Sequence, residues 1–174
     1  MDANIKKEVI SWIKLILSAF VIAFILKTYV FQIALVNQIS MEPTLHEGQI
    51  LVIAKVNYLF GNPDRGDIVV LKDELENKYL IKRAIGLPGE VIDIRNNKVY
   101  IDEKELKPDF TEVPTQNNGF GKSKVPEGKY FVMGDNRLHS RDSRSDTVGF
   151  VNRGNIVGKA VFRIWPVNKI GILK

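Results

Sequence analysis

The chain has 174 residues, of which 45% are apolar and 26% charged, and none is cysteine. That is enough for one ordinary core, and the missing thiols exclude disulfides, thiolate metal sites and a cysteine nucleophile. The formal charge is +5, but Lys6, Lys7, Lys14 and Lys27 face only Asp2 and Glu8 in the first 31 residues, which leaves 21 of the 25 basic and 18 of the 20 acidic groups downstream. So small an excess does not point to a nucleic-acid partner.

From Val9 to Phe31 the sequence is apolar apart from Lys14, Lys27 and a few hydroxyl residues, and it holds neither Pro nor Gly. A helix of that length spans roughly 34 Å, slightly more than the roughly 30 Å hydrocarbon layer, so both lysines lie near the ends and can reach headgroups. Residues 1–31 are therefore expected to be a cytoplasmic tip and a transmembrane anchor. Lys6, Lys7 and Lys14 precede the span and only Lys27 closes it, which places the N-terminus in the cytoplasm and the rest outside. Two other readings compete. A cleaved signal would need a small-x-small site, which TYVFQIALVNQ lacks, and a buried helix would use the uninterrupted stretch from Leu15 to Leu26.

Beyond the anchor, residues 32–174 read as one mainly β domain. Short β-branched runs follow one another: QILVIAKV, DIVVLK, KYLIKRAIG, EVIDIR, KVYIDE, KYFVMGD and IVGKAVFRIW. Asn96 and Asn97 predict a hairpin, and GNPDRG, LPG and VPEG predict tight loops, so antiparallel pairing is expected. Residues 108–125 are polar and without period, and are expected to form an exposed excursion.

Three segments could carry chemistry. In VNQISMEPTLHEG, Ser40 stands between an apolar run and a Pro-containing turn; alone, it reads equally as a turn hydroxyl. In KYLIKRAIG, alternation puts Lys82 on one face with Leu80 and Ala84. An ammonium held there loses hydration, and keeping it neutral near pH 8 takes about 3.3 kcal/mol, within the range for buried lysines; the resulting amine is a general base, although a lysine snorkelling at a sheet edge fits the same pattern. The third segment, GDNRLHSRDSR, packs two Asp, three Arg, two Ser, one Asn and one His into eleven residues, as either a solvated loop or a saturated polar network.

Together and in this order, SMEPTL with its following Gly, YLIKRAIGLPGE and GDNRLHSRDSR resemble the nucleophile, general-base and C-terminal boxes of type I signal peptidases, also called leader peptidases. The resemblance covers almost the whole chain and implies a coiled, antiparallel β-sheet domain of the signal peptidase/LexA type on the outer face of a bacterial cytoplasmic membrane. It implies no cofactor or metal; the partners are secretory preproteins, cut after small residues in an Ala-x-Ala pattern, and the phospholipid bilayer. By position, Ser40 is the nucleophile and Lys82 the general base; Ser140 hydrogen-bonds and orients the Lys82 amine, and Asp142 pairs with both Arg83 and Arg144. Asp135, Asn136 and Arg137 look structural. Met41, Leu45, Leu80 and Ile81 are expected as pocket walls, and Tyr58, Leu59, Phe60 and Trp165 as residues that touch the outer leaflet.

The oxyanion hole would use the Ser40 N–H. Where the family often has a small residue just before the nucleophile and Gly or Ser two before it, this chain has Ile39 and Gln38, so the Gln38 amide takes the second donor's place. Three alternatives stand beside this reading: a Ser-His-Asp hydrolase using His139 with Asp142 or Asp135, a LexA-type self-cleaving protein, and an inactive tethered protein that grips signal sequences. The anchor, and the absence of a helix-turn-helix region, count against the second. His46 is expected to be a solvated turn residue.

Overall fold

The computed structural model describes residues 3–73, 75–76, 78–107, 110–111 and 113–173. Its first element is α1 (Ala3–Ile25), continued by a wider helical turn, Leu26–Val30. With no Pro or Gly to break it, the helix carries apolar side chains all round, and those described from Ile5 to Phe24 are exposed: Trp12, Phe20 and Phe24 each by more than half. The stretch Ile5–Val30 is long and apolar enough to cross a membrane.

The strand β1 (Phe31–Leu35) begins at once, so the last residue assigned to the anchor belongs to the sheet. There Gln32 and Ala34 alternate with Phe31, Ile33 and Leu35, and a period of two replaces the helical one. It is followed by β2 (Ile50–Ala54), a short α2 (Asn57–Phe60), β3 (Ile68–Asp73), β4 (Lys78–Gly86), β5 (Val91–Arg95) and β6 (Lys98–Ile101). The rest are β7 (Lys104–Glu105), β8 (Ser123–Lys124), β9 (Lys129–Met133), β10 (Val151–Asn152), β11 (Ile156–Trp165) and β12 (Gly171–Ile172). All seven predicted strands are present; of the unpredicted ones β1 has five residues, and β7, β8, β10 and β12 have two each, too few to show a period.

Every pairing is antiparallel. One sheet runs β1-β2-β11-β3-β4-β9-β10, with β12 beside β11, and a second runs β7-β6-β5-β8. The first sheet coils because β11 shifts register against both β2 and β3. Asn96 and Asn97 make the predicted β5–β6 hairpin, with φ of 50° and 60°. Three apolar clusters fill the fold. One gathers Met41, Leu45, Leu51, Ile53 and Val70, a second Val69, Leu71, Leu80, Ala84, Tyr130 and Val132, and a third Ile85, Ile92, Val125, Phe131 and Met133.

The stretch expected to be an exposed excursion is tied to the second sheet where it is described. Thr115 and Val125 are buried, Ser123 and Lys124 form β8, and the Phe120 ring lies 4.8 Å from that of Phe131. A few apolar residues spaced without a period anchor an otherwise polar chain. Pro108, Asp109 and Glu112 lie outside the described residues. Of the four residues expected at the leaflet, Leu59, Phe60 and Trp165 are exposed, whereas Tyr58 is buried and its hydroxyl donates to Asp67 Oδ2 at 2.8 Å. A phenol that shares a carboxylate inside the fold is unavailable to lipid.

Phe131 joins β9 to Phe120 and Phe150, with ring centroids 4.8 and 6.0 Å away. Phe131→Ala should cost about 3–5 kcal/mol and lower the unfolding midpoint by roughly 10 °C, read by thermal denaturation of the chain in detergent.

Candidate active site

Ser40 lies in a single helical turn, Ile39–Met41, between β1 and β2. Backbone bonds from Val36 N to Gln49 O (2.9 Å) and from Gly48 N to Val36 O (2.8 Å) close the loop at its base. Met41 and Leu45 plunge into the first core cluster while Ile39 stays exposed, so the turn is nailed down on one side only. Ser40 itself is 6% exposed.

Lys82, in the middle of β4 opposite Val69 of β3, is 1% exposed. Its Nζ donates to Ser40 Oγ at 2.7 Å and to the Ile81 carbonyl at 3.2 Å. Leu80 and Ala84, two residues to either side, are both buried. Burial lowers the Lys82 pKa to about 8; the Arg141 charge pushes in the same direction, and Asp142 and Asp135 oppose it. The amine is thus partly neutral near neutral pH, next to a hydroxyl.

The segment that follows β9 holds both groups in place. Asn136 N donates to Ser40 O (3.1 Å) and Asn136 Nδ2 to Ile39 O (3.2 Å). Asp135 receives Arg83 Nε at 2.9 Å and Nη2 at 2.7 Å, and also the Thr44 hydroxyl at 2.6 Å. One carboxylate therefore joins the strand of Lys82 to the loop of Ser40. Asp142 receives Arg144 Nε and Nη2, both at 2.9 Å, and the Gly134 N–H at 3.0 Å. Each Arg-carboxylate pair is bidentate and buried, which fixes orientation as well as charge. Arg137 donates to Gly134 O at 3.1 Å and to the Thr115 hydroxyl.

Two expectations are corrected here. Among the described residues the carboxylate of Arg83 is Asp135, not Asp142, which serves Arg144 alone of the two arginines; Asp135 follows β9 directly, whose Met133 pairs with Arg83, while Asp142 lies farther along the loop. Ser140 makes no hydrogen bond to Lys82: among the described residues its buried Oγ has no partner, and it packs over Gly134. A Cβ at Gly134 would lie 2.3 Å from both Ser140 Oγ and Ser40 O, so only glycine lets these segments meet.

Beside Ser40 runs a groove of about 440 Å³ with Ile33, Leu35, Val36, Met41, Val70 and Ile81 on its walls. Of the expected pocket residues, Met41 and Ile81 line it. Leu45 and Leu80 do not; they belong to the core clusters, because in β4 the open face is that of Tyr79 and Ile81, and Leu45 points from its turn into the first cluster. Gln38 borders the groove. His139 is exposed, its Nδ1 is 3.3 Å from Asn136 Oδ1, and among the described residues it pairs with no carboxylate. His46 is part-exposed beside Glu42, as expected of a turn. Sequence reading missed Thr44, Asn136 as a tie to the nucleophile loop, and Tyr79, whose alternation with Ile81 was the available signal.

A buried lysine donating to a serine at the end of an apolar groove is an arrangement to compare with known proteins. The family model described as "Signal peptidase, peptidase S26" matches residues 9–165. The chain belongs to this family. Signal peptidase I of Bacillus licheniformis is 38% identical over 97% of this chain and 95% of its own length, and signal peptidase I T of Bacillus subtilis 39% over 92% and 88%. A solved signal peptidase I from Enterococcus faecalis aligns with 56% of this chain and 95% of its own at 32% identity, with a TM-score of 0.47. As a signal peptidase family member, the chain is a serine endopeptidase, mainly antiparallel β, with one N-terminal apolar helix.

A lysine whose pKa is depressed by folding destabilises the fold wherever the unfolded lysine would be charged. That cost, about 3 kcal/mol, is fully present below pH 8 and is relieved as the pH rises from about 8 to 10.5. Lys82→Met should therefore be more stable than the parent at pH 7, by about 2 kcal/mol once the orphaned Ser40 hydroxyl is allowed for, and the gap should close toward pH 10.5 in denaturant titrations. A gap that stays constant over that range would contradict a depressed amine.

Proposed function

We propose that this chain removes signal peptides from secretory preproteins, with Ser40 as nucleophile and Lys82 as general base. The observation that carries the reading is the 2.7 Å bond between Lys82 Nζ and Ser40 Oγ, made by a buried amine whose pKa is lowered to about 8. In the attack, Ser40 Oγ bonds to the scissile carbonyl carbon and its proton passes to Lys82. The tetrahedral intermediate collapses as the C–N bond breaks, and Lys82 returns the proton to the leaving amine. Water, deprotonated by Lys82 in turn, then splits the ester and frees Ser40. The Ser40 N–H and the Gln38 amide are the donors assigned to the developing oxyanion. Asp135, Arg83, Asp142 and Arg144 act by positioning, and Ser140 packs at the base of the site.

Substrate binding follows from two open strand edges. Among the described residues β1 pairs with β2 alone, and β4 pairs with β9 only from Arg83 onward. Residues of β1 and Lys78, Tyr79 and Ile81 of β4 line the same groove, so an extended peptide can bond to a strand on each side. The apolar walls suit small alternate side chains, in keeping with cleavage after an Ala-x-Ala pattern. The helix from Ile5 to Val30 is assigned to the cytoplasmic membrane, N-terminus inside, with residues 32–174 as the outer catalytic domain and Leu59, Phe60 and Trp165 toward the leaflet.

In detergent with a preprotein substrate, the parent should cleave, while Ser40→Ala and Lys82→Arg should lose at least about a thousandfold in rate, because guanidinium keeps its proton. His139→Ala should retain most activity; its loss would restore the histidine triad. The rate should rise about tenfold from pH 7 to 9 with its midpoint near pH 8, as the Lys82 amine becomes neutral. Protease added outside spheroplasts should cut near Asn117, an exposed position, and complete protection would reverse the topology.

A further inference from the structure

Two cavities meet at Ser40. Asn37, Gln38 and Ser40 line the apolar groove and also a second cavity of about 380 Å³, whose other walls are Ile39, Glu47, His139 and Arg141. A chain extended through the groove and past the hydroxyl runs into this second cavity, and its chemistry differs from the first. The groove is flanked by open strand edges; the second cavity is edged by no strand and carries the charged side chains of Glu47 and Arg141 on its walls.

Its charges do not cancel. The Arg141 guanidinium is ion-paired with Asp73, which is buried, and lies 3.3 Å from Glu76 Oε1, so two carboxylates already answer it. His139 faces the Asn136 amide oxygen. Glu47 is exposed and makes no ion pair among the described residues. An acidic side chain entering here meets the unpaired Glu47 and an Arg141 already answered by Asp73 and Glu76, whereas a basic one finds an unpaired carboxylate.

Resting on the reading of Ser40 as nucleophile, we infer that this second cavity seats the residue just after the scissile bond, and that Glu47 selects a lysine or arginine side chain there over an acidic one. Glu47 is thus a specificity residue on the side of the released chain, in a turn whose sequence, HEG, shows no such role.

The test uses the full chain in detergent micelles and three peptides identical up to an Ala-x-Ala cleavage point, followed by Lys, Gln or Glu. The parent should show kcat/KM about three- to fivefold higher for Lys than for Glu, with Gln between, and the ratio should shrink with added salt, as expected of a solvent-exposed charge pair. Glu47→Gln should bring the ratio close to one, and Glu47→Lys should invert it. Peptides cleaved with the same ratio by parent and both variants would overturn the inference and leave the Ser40 reading standing. If the parent cleaves no peptide, the Ser40 reading fails and the inference fails with it.

Discussion

The structure turns on the cost of keeping one amine out of water. Lys82 is placed where its charge is unwelcome, buried in the centre of a strand, and its compensation is a short bond to Ser40 rather than to a carboxylate. Had Asp142 or Asp135 reached Nζ directly, the ammonium would have been stabilised and its lowered pKa lost. Both acids are instead spent on arginines, each bidentate, so they lend shape to the site while their effect on the amine stays weaker than that of burial. The fold thus separates two tasks: carboxylates and guanidinium groups position, and apolar surface tunes.

That separation explains the density of polar residues from Gly134 to Arg144. The segment has two anchorages, one to the nucleophile loop through Asn136 and Thr44, the other to β4 through Arg83. Neither contact touches a reacting atom, yet together they set the distance between hydroxyl and amine. Gly134 permits the convergence by having no side chain, so the Ser40 segment and the Gly134–Arg144 segment, far apart in the chain, close around one missing methyl group.

Much of this was legible in the sequence, for identifiable reasons. The long apolar helix and seven strands follow from periodicity, and the boxes single out Ser40 and Lys82, which the fold brings within 2.7 Å of each other. What escaped was register and partnership. Asp135 and Asp142 are equally acidic in the sequence, and only the path of the chain after β9 decides which meets Arg83. Alternation in β4 separates Leu80 from Ile81 but does not say which of the two faces opens on a cavity. The strand β1 was hidden because its apolar residues continue those of α1, and the change of period spans only five residues.

That same junction has a mechanical meaning. No spacer separates the helix from the strand that walls the groove: the turn Leu26–Val30 runs straight into Phe31, and Lys55 N bonds the Val30 carbonyl at 2.8 Å. A hinge would let the catalytic body swivel freely, whereas a clasp of this kind turns the helix into a lever arm. With the helix in the bilayer as proposed, a lean imposed by a thicker or thinner lipid layer would pass directly to β1, the strand on which the peptide of the proposed reaction would be laid out.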